Sequence, residues 1–211
     1  DIELFRQGHC KKCFFELPST ADWVMKPELS KAHLNIEERD LQYEKSVQLK
    51  PHILYLAYSS KIKVGVTRKS QVPYRWIDQG AIEAIELIKV PNRYLAGIAE
   101  VKLKQKFSDK TNWRKMLTSQ INDSNLKNEK DEALEFLGDD FRDYFMIDTE
   151  VIKFNYQIDI PVDSVKSVSL KKSDEINGKL IGIKGQYLIF EDSSVFNVRS
   201  NEGFLIDLTI D

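Results

Sequence analysis

The most regular pattern of hydrophobic and polar positions lies in the second quarter of the chain. A short apolar and aromatic run at 52–58 is typical of a strand. After a turn at Ser59 and Ser60, the run at 61–67 alternates between apolar and polar residues, which also predicts a strand. A third strand is predicted at 84–90, although the apolar spacing there also fits a helix.

Two helices are predicted beside these strands. Pro73 is well placed as the first residue of a short helix over 74–79, which Gly80 would end. Asn92 can cap a longer helix that reaches about residue 107. The apolar face predicted for the longer helix consists of Leu95, Ile98, Ala99, Leu103 and Phe107.

The pattern divides an α+β chain into four segments, 1–50, 51–117, 118–149 and 150–211. The first segment contains a predicted helix around 37–47 with Asn35 as its N-cap, and the third is a polar, acidic linker that is predicted to be helical. The fourth segment is predicted to be a small antiparallel β module, either a sheet or a barrel. Its strands are predicted at 180–183, 187–190, 195–198 and 204–208.

The composition is that of a globular protein, with 42% hydrophobic and 30% charged residues. No run of 18 apolar residues occurs, so no membrane partner is expected. Two cysteines do not make a disulfide framework, which favours a reducing, cytoplasmic location. Residue 1 is Asp rather than Met and lies in an amphipathic stretch, so we expect the chain to begin inside a longer protein.

Charge is distributed unevenly along the chain, although the net charge is only -2. Residues 61–115 contain 13 Lys or Arg against 5 Asp or Glu, whereas residues 116–150 contain 3 against 10. A basic segment followed by an acidic one suits a polyanion-binding surface with an acidic flank. Two solvated faces on neighbouring helices would give the same asymmetry.

Polar side chains of several kinds gather on the second predicted strand and just after it. Gly65 removes a side chain in mid-strand, which costs stability unless another group approaches the backbone there. Lys63 and Thr67 flank this position on the polar face, and Arg68 follows directly. Gly65, Thr67 and Arg68 are therefore candidate substrate-binding residues. Asn112 would orient a phosphate group or, alternatively, cap the next helix.

Tyr55, Arg75 and Glu100 form a set that suits phosphodiester hydrolysis. Glu100, at the rim of the apolar face of the longer helix, would hold a divalent cation such as Mg²⁺ or Mn²⁺. Arg75 would neutralise charge that develops on the phosphoryl oxygens. Tyr55, with an ordinary pKa of about 10, would need a lowered pKa or a metal-bound water to serve as a general base.

A structural interpretation of the same residues is also open. Tyr55 can be a core aromatic residue with a solvated hydroxyl, Gly65 a bulge, and Arg75 with Glu100 an ordinary ion pair. Trp76 is likewise more typical of a core than of a surface on which bases stack.

Several segments of the sequence resemble a bacterial family known as domain of unknown function 2797. These segments are KVGVTR at 63–68, RWIDQGA at 75–81, NRYLAGIAE at 92–100 and DKTNW at 109–113. The order of Tyr55, Gly65, Arg75 and Glu100 is in turn similar to that in the GIY-YIG nuclease superfamily. This second resemblance implies a three-stranded antiparallel sheet with flanking helices at 51–117.

The resemblance to GIY-YIG nucleases also implies roles for single residues. Tyr55 would be the first-motif tyrosine, Gly65 the second-motif glycine, Arg75 the catalytic arginine and Glu100 the metal ligand. The first motif lacks its glycine here, and Lys63 stands where the second motif has a tyrosine that assists the chemistry in many nucleases. Lys63 is therefore a candidate catalytic residue, and the resemblance implies the fold more directly than the cleavage.

Cys10 and Cys13 form a C-x-x-C motif, which is one half of a structural zinc site. His9 and His33 are the local nitrogen donors. The family resemblance implies a second C-x-x-C upstream of Asp1, so zinc is expected in the complete protein and a partial zinc knuckle in this chain. A reduced pair without a ligand role is the alternative, and a redox role is less favoured because no thioredoxin pattern surrounds the motif.

These observations lead to one main hypothesis, which is a protein that binds DNA or RNA and cleaves it with Mg²⁺ or Mn²⁺. The first alternative is a non-catalytic nucleic-acid-binding or scaffold protein that keeps the fold. The second is an enzyme that acts on a small phosphorylated molecule, which would require a deeper pocket than an open sheet provides.

Overall fold

The computed structural model describes residues 3–108, 110–118 and 124–210 and shows a mixed α+β fold. Its α-helices in these ranges are α1 (Lys11–Glu16), α2 (Asp22–Met25), α3 (Leu41–Gln48), α4 (Tyr74–Asp78), α5 (Arg93–Leu103), α6 (Trp113–Thr118) and α7 (Leu126–Leu137). Its strands there are β1 (His52–Tyr58), β2 (Ile62–Arg68), β3 (Glu83–Val90), β4 (Ile152–Lys153), β5 (Lys166–Val168), β6 (Leu180–Lys184), β7 (Tyr187–Phe190) and β8 (Ser194–Asn197).

The first sheet has the strand order β2-β1-β3-β4, and all neighbouring strands are antiparallel. The three strands predicted in the second quarter of the chain are present. The expectation of a three-stranded sheet is wrong, however, because β4 adds a fourth strand beside β3, where Ile152 pairs with Ala84 and Lys153 with Glu83. A strand of two residues is too short to show alternation, so its sequence could not indicate it.

Helices cover both faces of the first sheet. On one face, α5 and α7 pack against a core that includes Leu54, Leu56 and Ile85. On the other face, Trp76 of α4 packs beside Tyr55. Burial on both faces explains why β1 is a nearly continuous apolar run.

Helix α5 begins where the sequence predicts. The Asn92 side-chain oxygen accepts a hydrogen bond from the Leu95 amide at 2.9 Å, which makes Asn92 the N-cap. The helix ends at Leu103 rather than near residue 107. Ile98 is 38% exposed, so its predicted position on the apolar face is wrong.

Gly97 explains why the buried face of α5 differs from the predicted apolar face. A Cβ atom at Gly97 would lie 2.2 Å from the Glu28 amide nitrogen, so the backbone of the short turn Pro27–Leu29 packs directly against the helix. The N-terminal part of the chain therefore covers α5, and this contact crosses the boundary predicted near residue 50.

The helix predicted around 37–47 begins later than expected, at Leu41 of α3. Asp40 Oδ1 accepts a hydrogen bond from the Tyr43 amide at 2.9 Å and is the N-cap. Asn35, the predicted cap, has a left-handed φ of 57° and ends the short turn Ala32–Leu34. Asn is favoured both at N-caps and in left-handed positions, so its identity could not distinguish the two roles.

The second sheet has the strand order β5-β8-β7-β6. Strands β6, β7 and β8 correspond to three predicted strands and are antiparallel, but β5 pairs with β8 in parallel, so the wholly antiparallel module is a wrong expectation. The strand predicted at 204–208 is also wrong, since β5 occupies the free edge of β8 and the tail carries no strand. Leu205 in this tail is fully exposed.

Helical structure is present in the acidic third segment, as the sequence predicts. It consists of α7 and a turn at Asp139–Tyr144, while residues 119–123 lie outside the described residues. None of the helices in the described ranges is both long and apolar enough to cross a bilayer.

Candidate functional site

Tyr55 and Gly65 lie opposite each other on β1 and β2. A Cβ atom at Gly65 would lie 2.7 Å from the Tyr55 hydroxyl oxygen and 2.8 Å from its Cζ, so the ring lies across the glycine. Glycine is required because a larger residue would displace a buried ring. The space that the sequence analysis left for an approaching ligand is occupied by Tyr55 itself.

The Tyr55 hydroxyl is held as a hydrogen-bond donor. It is 1% exposed and donates to the Gln79 Oε1 at 3.1 Å. The pKa of Tyr55 is raised to about 12; burial is the largest cause, the Arg75 guanidinium opposes it, and the Glu100 carboxylate acts in the same direction as burial. A general-base tyrosine would need the opposite shift, so Tyr55 is suited to positioning neighbouring groups.

Lys63 is buried on the same face of β2 as Gly65. It is 5% exposed, and its ammonium donates a hydrogen bond to Thr111 Oγ1 at 2.9 Å. Burial lowers the pKa of Lys63 to about 8, and the positive charge of Arg75 lowers it as well. Lys63 therefore loses its proton at a lower pH than an ordinary lysine does, although it is still mostly charged at neutral pH.

Arg75 brings a third group to the same place from α4. The helix is fixed by Trp76, which is fully buried between Tyr55 and Phe154. The Arg75 guanidinium interacts with the Tyr55 hydroxyl and repels the ammonium of Lys63. This half-buried arginine therefore lies next to both groups.

Glu100, the candidate metal ligand, lies on α5. Its side chain is 10% exposed, and its carboxylate pairs with the Lys104 ammonium at 3.3 Å. Burial raises the pKa of Glu100, while Lys104 lowers it. The Arg75 guanidinium and the Glu100 carboxylate both affect the pKa of the Tyr55 hydroxyl, Arg75 through a hydrogen bond and its charge and Glu100 through its charge alone.

A second carboxylate lies near Glu100. Glu28 is close enough to raise the pKa of Glu100, and it is delivered by the turn that packs on Gly97. One oxygen of Glu28, Oε2, is buried and has no hydrogen-bond partner among the described residues. The sequence analysis missed Glu28, because only the packing of the distant N-terminal segment on α5 brings it here.

Arg93 is a further cation that the sequence analysis missed. Its Nε and one terminal nitrogen donate to the backbone carbonyls of Trp23 and Val24 at 3.2 and 2.7 Å, and burial lowers its pKa to about 10. In residues 3–108, 110–118 and 124–210, no salt bridge joins Lys63, Arg68, Arg75 or Arg93 to a carboxylate. We call these four residues the cation group.

Arg68 belongs to the cation group because its charge acts on Arg93.

Thr67 is buried, and its hydroxyl donates to Gln71 Oε1 at 3.5 Å. Asn112 is exposed and caps α6, since its side-chain oxygen accepts a hydrogen bond from the Lys115 amide at 3.1 Å. The capping role therefore accounts for Asn112.

The two cysteines lie at the start of α1, where the Cys13 amide donates to Cys10 Sγ at 3.5 Å. This hydrogen bond lowers the pKa of Cys10, and Cys10 in turn raises the pKa of Cys13. His33 is engaged elsewhere, stacked on Tyr94 with ring centroids 4.5 Å apart. No group of three or more His, Cys, Asp or Glu residues able to hold a metal occurs in the described ranges, so the zinc half-site stays a prediction.

Comparison with known proteins places the chain in a family. A family model described as "Protein of unknown function (DUF2797)" matches residues 1–206. The chain belongs to this family. No curated protein and no solved structure matches it. The DUF2797 description assigns no activity, so any function for this DUF2797 chain must be inferred from its site.

Proposed function

We propose that this DUF2797 chain binds DNA or RNA through phosphodiester groups and cleaves them with Mg²⁺ or Mn²⁺. The observation that supports the proposal is the cation group, whose four members form no salt bridge among the described residues and are connected by the charge effects of Arg75 on Lys63 and of Arg68 and Arg75 on Arg93. Uncompensated charge at partly buried positions is unfavourable unless a ligand compensates it.

A phosphodiester supplies the charge and the geometry that the cation group would compensate. The planar guanidinium groups of Arg68 and Arg75 match a pair of phosphate oxygens, while Arg93, whose nitrogens donate to the Trp23 and Val24 carbonyls, and Lys63 add positive charge. The local excess of 13 basic over 5 acidic residues at 61–115 would attract a polyanion over a wider surface.

The carboxylates near the cation group fit a hard divalent cation. Mg²⁺ is commonly held by one or two carboxylates and keeps several waters. Glu100 and Glu28 would hold it, and the unpartnered buried oxygen of Glu28 is one observation that favours this. A bound cation would stabilise negative charge on the phosphoryl oxygens.

The resemblance to GIY-YIG nucleases supports the proposal independently of the charges. Tyr55, Gly65, Arg75 and Glu100 follow one another in the order of that superfamily's motifs. A small antiparallel sheet with flanking helices carries them.

Binding is tested with a fluorescently labelled duplex and a single strand of the same sequence. Arg75→Met is expected to weaken binding about tenfold and to make the slope of log K against log salt shallower by roughly one unit. Lys179→Met, which removes an exposed cation from the second sheet, is the matched control and should bind as the wild type does. Equal binding by all three proteins would contradict the proposal.

Cleavage is tested with Mg²⁺ or Mn²⁺ on mixed DNA and RNA. Glu100→Gln should lower the rate by about 10²-fold or more, because a neutral amide holds a divalent cation poorly. Glu135→Gln, on the exposed side of α7, is the control. Equal rates in Glu100→Gln and wild type would indicate a contaminating nuclease.

A non-catalytic nucleic-acid-binding protein is the second candidate. The observation that favours it is the state of Tyr55, whose hydroxyl is buried, bonded to Gln79 and shifted to a pKa of about 12. Wild-type protein that binds nucleic acid with the expected salt slope, yet leaves it intact with either metal ion, would support this candidate.

A further inference from the structure

Two side chains on one face of the first sheet have the chemistry to accept a proton near neutral pH or above, Tyr55 and Lys63. The two side chains differ in their hydrogen bonds and in what surrounds them. The Tyr55 hydroxyl donates to Gln79 Oε1 at 3.1 Å and lies across Gly65 with almost no exposure. Its geometry leaves it little freedom to deprotonate a water molecule.

Lys63 lies in a different environment. Its amine has one hydrogen-bond partner among the described residues, Thr111 Oγ1 at 2.9 Å. Thr111 belongs to a surface loop whose neighbours Lys110 and Asn112 are exposed, and the Asn112 amide anchors this loop to Ser60 Oγ at 3.3 Å. The Thr111 hydroxyl is therefore the one described hydrogen-bond partner that a water molecule would have to replace at the amine.

The charged and titratable groups around Lys63 all disfavour its protonation or leave it unaffected. Arg75 on α4 repels the ammonium, and Tyr55 on β1 is neutral. Glu100 on α5 acts on Tyr55, but no carboxylate among the described residues acts on Lys63. Burial lowers the pKa of Lys63, as Arg75 does, so the uncharged amine is available at mildly alkaline pH.

We propose that the Lys63 amine accepts the proton of the attacking water in this site, and that Tyr55 is a positioning residue. The inference rests on the proposed cleavage of phosphodiesters. It assigns to a lysine the step for which a phenol is expected from the motif, and Lys63 occupies that motif position.

The reaction balances as a hydrolysis. The water oxygen forms a bond to phosphorus, and the bond between phosphorus and the bridging oxygen of the leaving nucleotide breaks, with its electron pair going to that oxygen. The water proton passes to Lys63 Nζ, which becomes an ammonium and later returns the proton to solvent. The leaving oxygen takes a proton from solvent, which gives one phosphomonoester and one hydroxyl.

The first test compares Lys63→Arg with the wild type. Arginine keeps the positive charge but cannot release its proton in this pH range, so binding should stay within about threefold. Cleavage should fall by about 10²–10⁴-fold, the usual contribution of a general base. Lys63→Met is measured beside it in case arginine does not fit, and thermal unfolding establishes that each variant is folded.

The second test is the pH dependence of kcat/KM. In the wild type it should rise with pH, with its midpoint near pH 8, and level off above about pH 9, because the base must be uncharged. Thr111→Val keeps the lysine but removes an acceptor that stabilises its ammonium, so the rise should move to lower pH. A lysine with only a structural role would give no such movement.

The outcomes separate this inference from the proposed function. Cleavage by Lys63→Arg at the wild-type rate, with the same pH profile, would overturn the role of Lys63 and leave the nuclease intact. Wild type that binds but never cleaves would also overturn it while leaving the binding function. A Lys63 titration near the ordinary lysine pKa, followed by NMR of ¹³C-labelled lysine side chains, would overturn it even in an active enzyme.

Discussion

Each of the two sheets buries one lysine, and the two lysines differ in what compensates them. At the end of β6, the Lys184 ammonium donates to the Met116 carbonyl at 2.7 Å and lies 5.6 Å from the centre of the Tyr156 ring. On β2, Lys63 has one threonine hydroxyl and the like charge of Arg75. Burial lowers the pKa of both lysines, but Lys184 connects α6 to the second sheet through a carbonyl acceptor, whereas Lys63 has a hydroxyl acceptor and a cation beside it.

The difference teaches which buried charge serves the fold and which serves a ligand. A lysine with a carbonyl acceptor and an aromatic face stabilises the contact that it makes. A lysine with a cationic neighbour destabilises the empty site, and such arrangements are typical of functional positions. The predictions below test this contrast.

The largest effect is expected for Lys184→Met. This change leaves the buried Met116 carbonyl without its donor, so the free energy of unfolding should fall by about 2–3 kcal/mol. Denaturant unfolding measures it, and nucleic-acid affinity should stay unchanged. An unaltered stability would remove the distinction between the two lysines.

Lys63→Met should have a smaller effect of opposite sign. Removal of an uncompensated buried ammonium should raise the free energy of unfolding by about 1–2 kcal/mol at pH 7. The same denaturant experiment measures it, and Lys184→Met provides the matched comparison. A loss of stability similar to that of Lys184→Met would mean that Lys63 is also a structural lysine.

The stability gained by Lys63→Met should diminish with rising pH. The folded pKa of Lys63, about 8, lies below its ordinary value of 10.5, so between these values the unfolded chain binds more protons than the folded one. Wild-type stability relative to the variant should therefore rise from pH 8 to 10.5 and should be lowest below pH 8. A constant difference over this range would contradict the burial of a charged Lys63.

The smallest effect is expected for Lys179→Ala, just before β6 of the second sheet. Lys179 pairs with Glu191 at 3.1 Å, but both side chains are well exposed. Solvent screens such pairs, so the free energy of unfolding should change by less than about 0.5 kcal/mol. A larger loss in thermal unfolding would show that charge pairing, rather than burial, determines the contrast between the sheets.

The main strands and α5 could be predicted because their signals are local. Alternation marks β2, a continuous apolar run marks β1, and Asn92 marks the start of α5. Strands β4 and β5 could not be predicted, since two or three residues carry no period and their pairing depends on distant partners. The apolar tail at 204–208 shows the converse, a strand-like pattern without a partner.

The candidate site was accessible from sequence only in part. Tyr55, Arg75 and Glu100 could be grouped by their order along the chain, which resembles a known motif order. Glu28 could not, because its place near Glu100 follows from the packing of the N-terminal segment on α5. Arg93 is seven residues before Glu100 on α5, so helical spacing could have indicated it. Nor does the sequence reveal that Tyr55 covers Gly65, which is a property of the cross-strand register.

The late arrival of β4 has a consequence for synthesis of the chain. As the polypeptide leaves the ribosome, β1, β2 and β3 can assemble early, but the outer side of β3 waits for β4 and for the flanking bonds from Met146 to Leu87 and from Phe154 to Ile82. Until then, unpaired amide and carbonyl groups along β3 offer a template to other nascent chains. Products truncated before residue 150 are therefore expected to self-associate, so full-length translation itself protects the protein from aggregation.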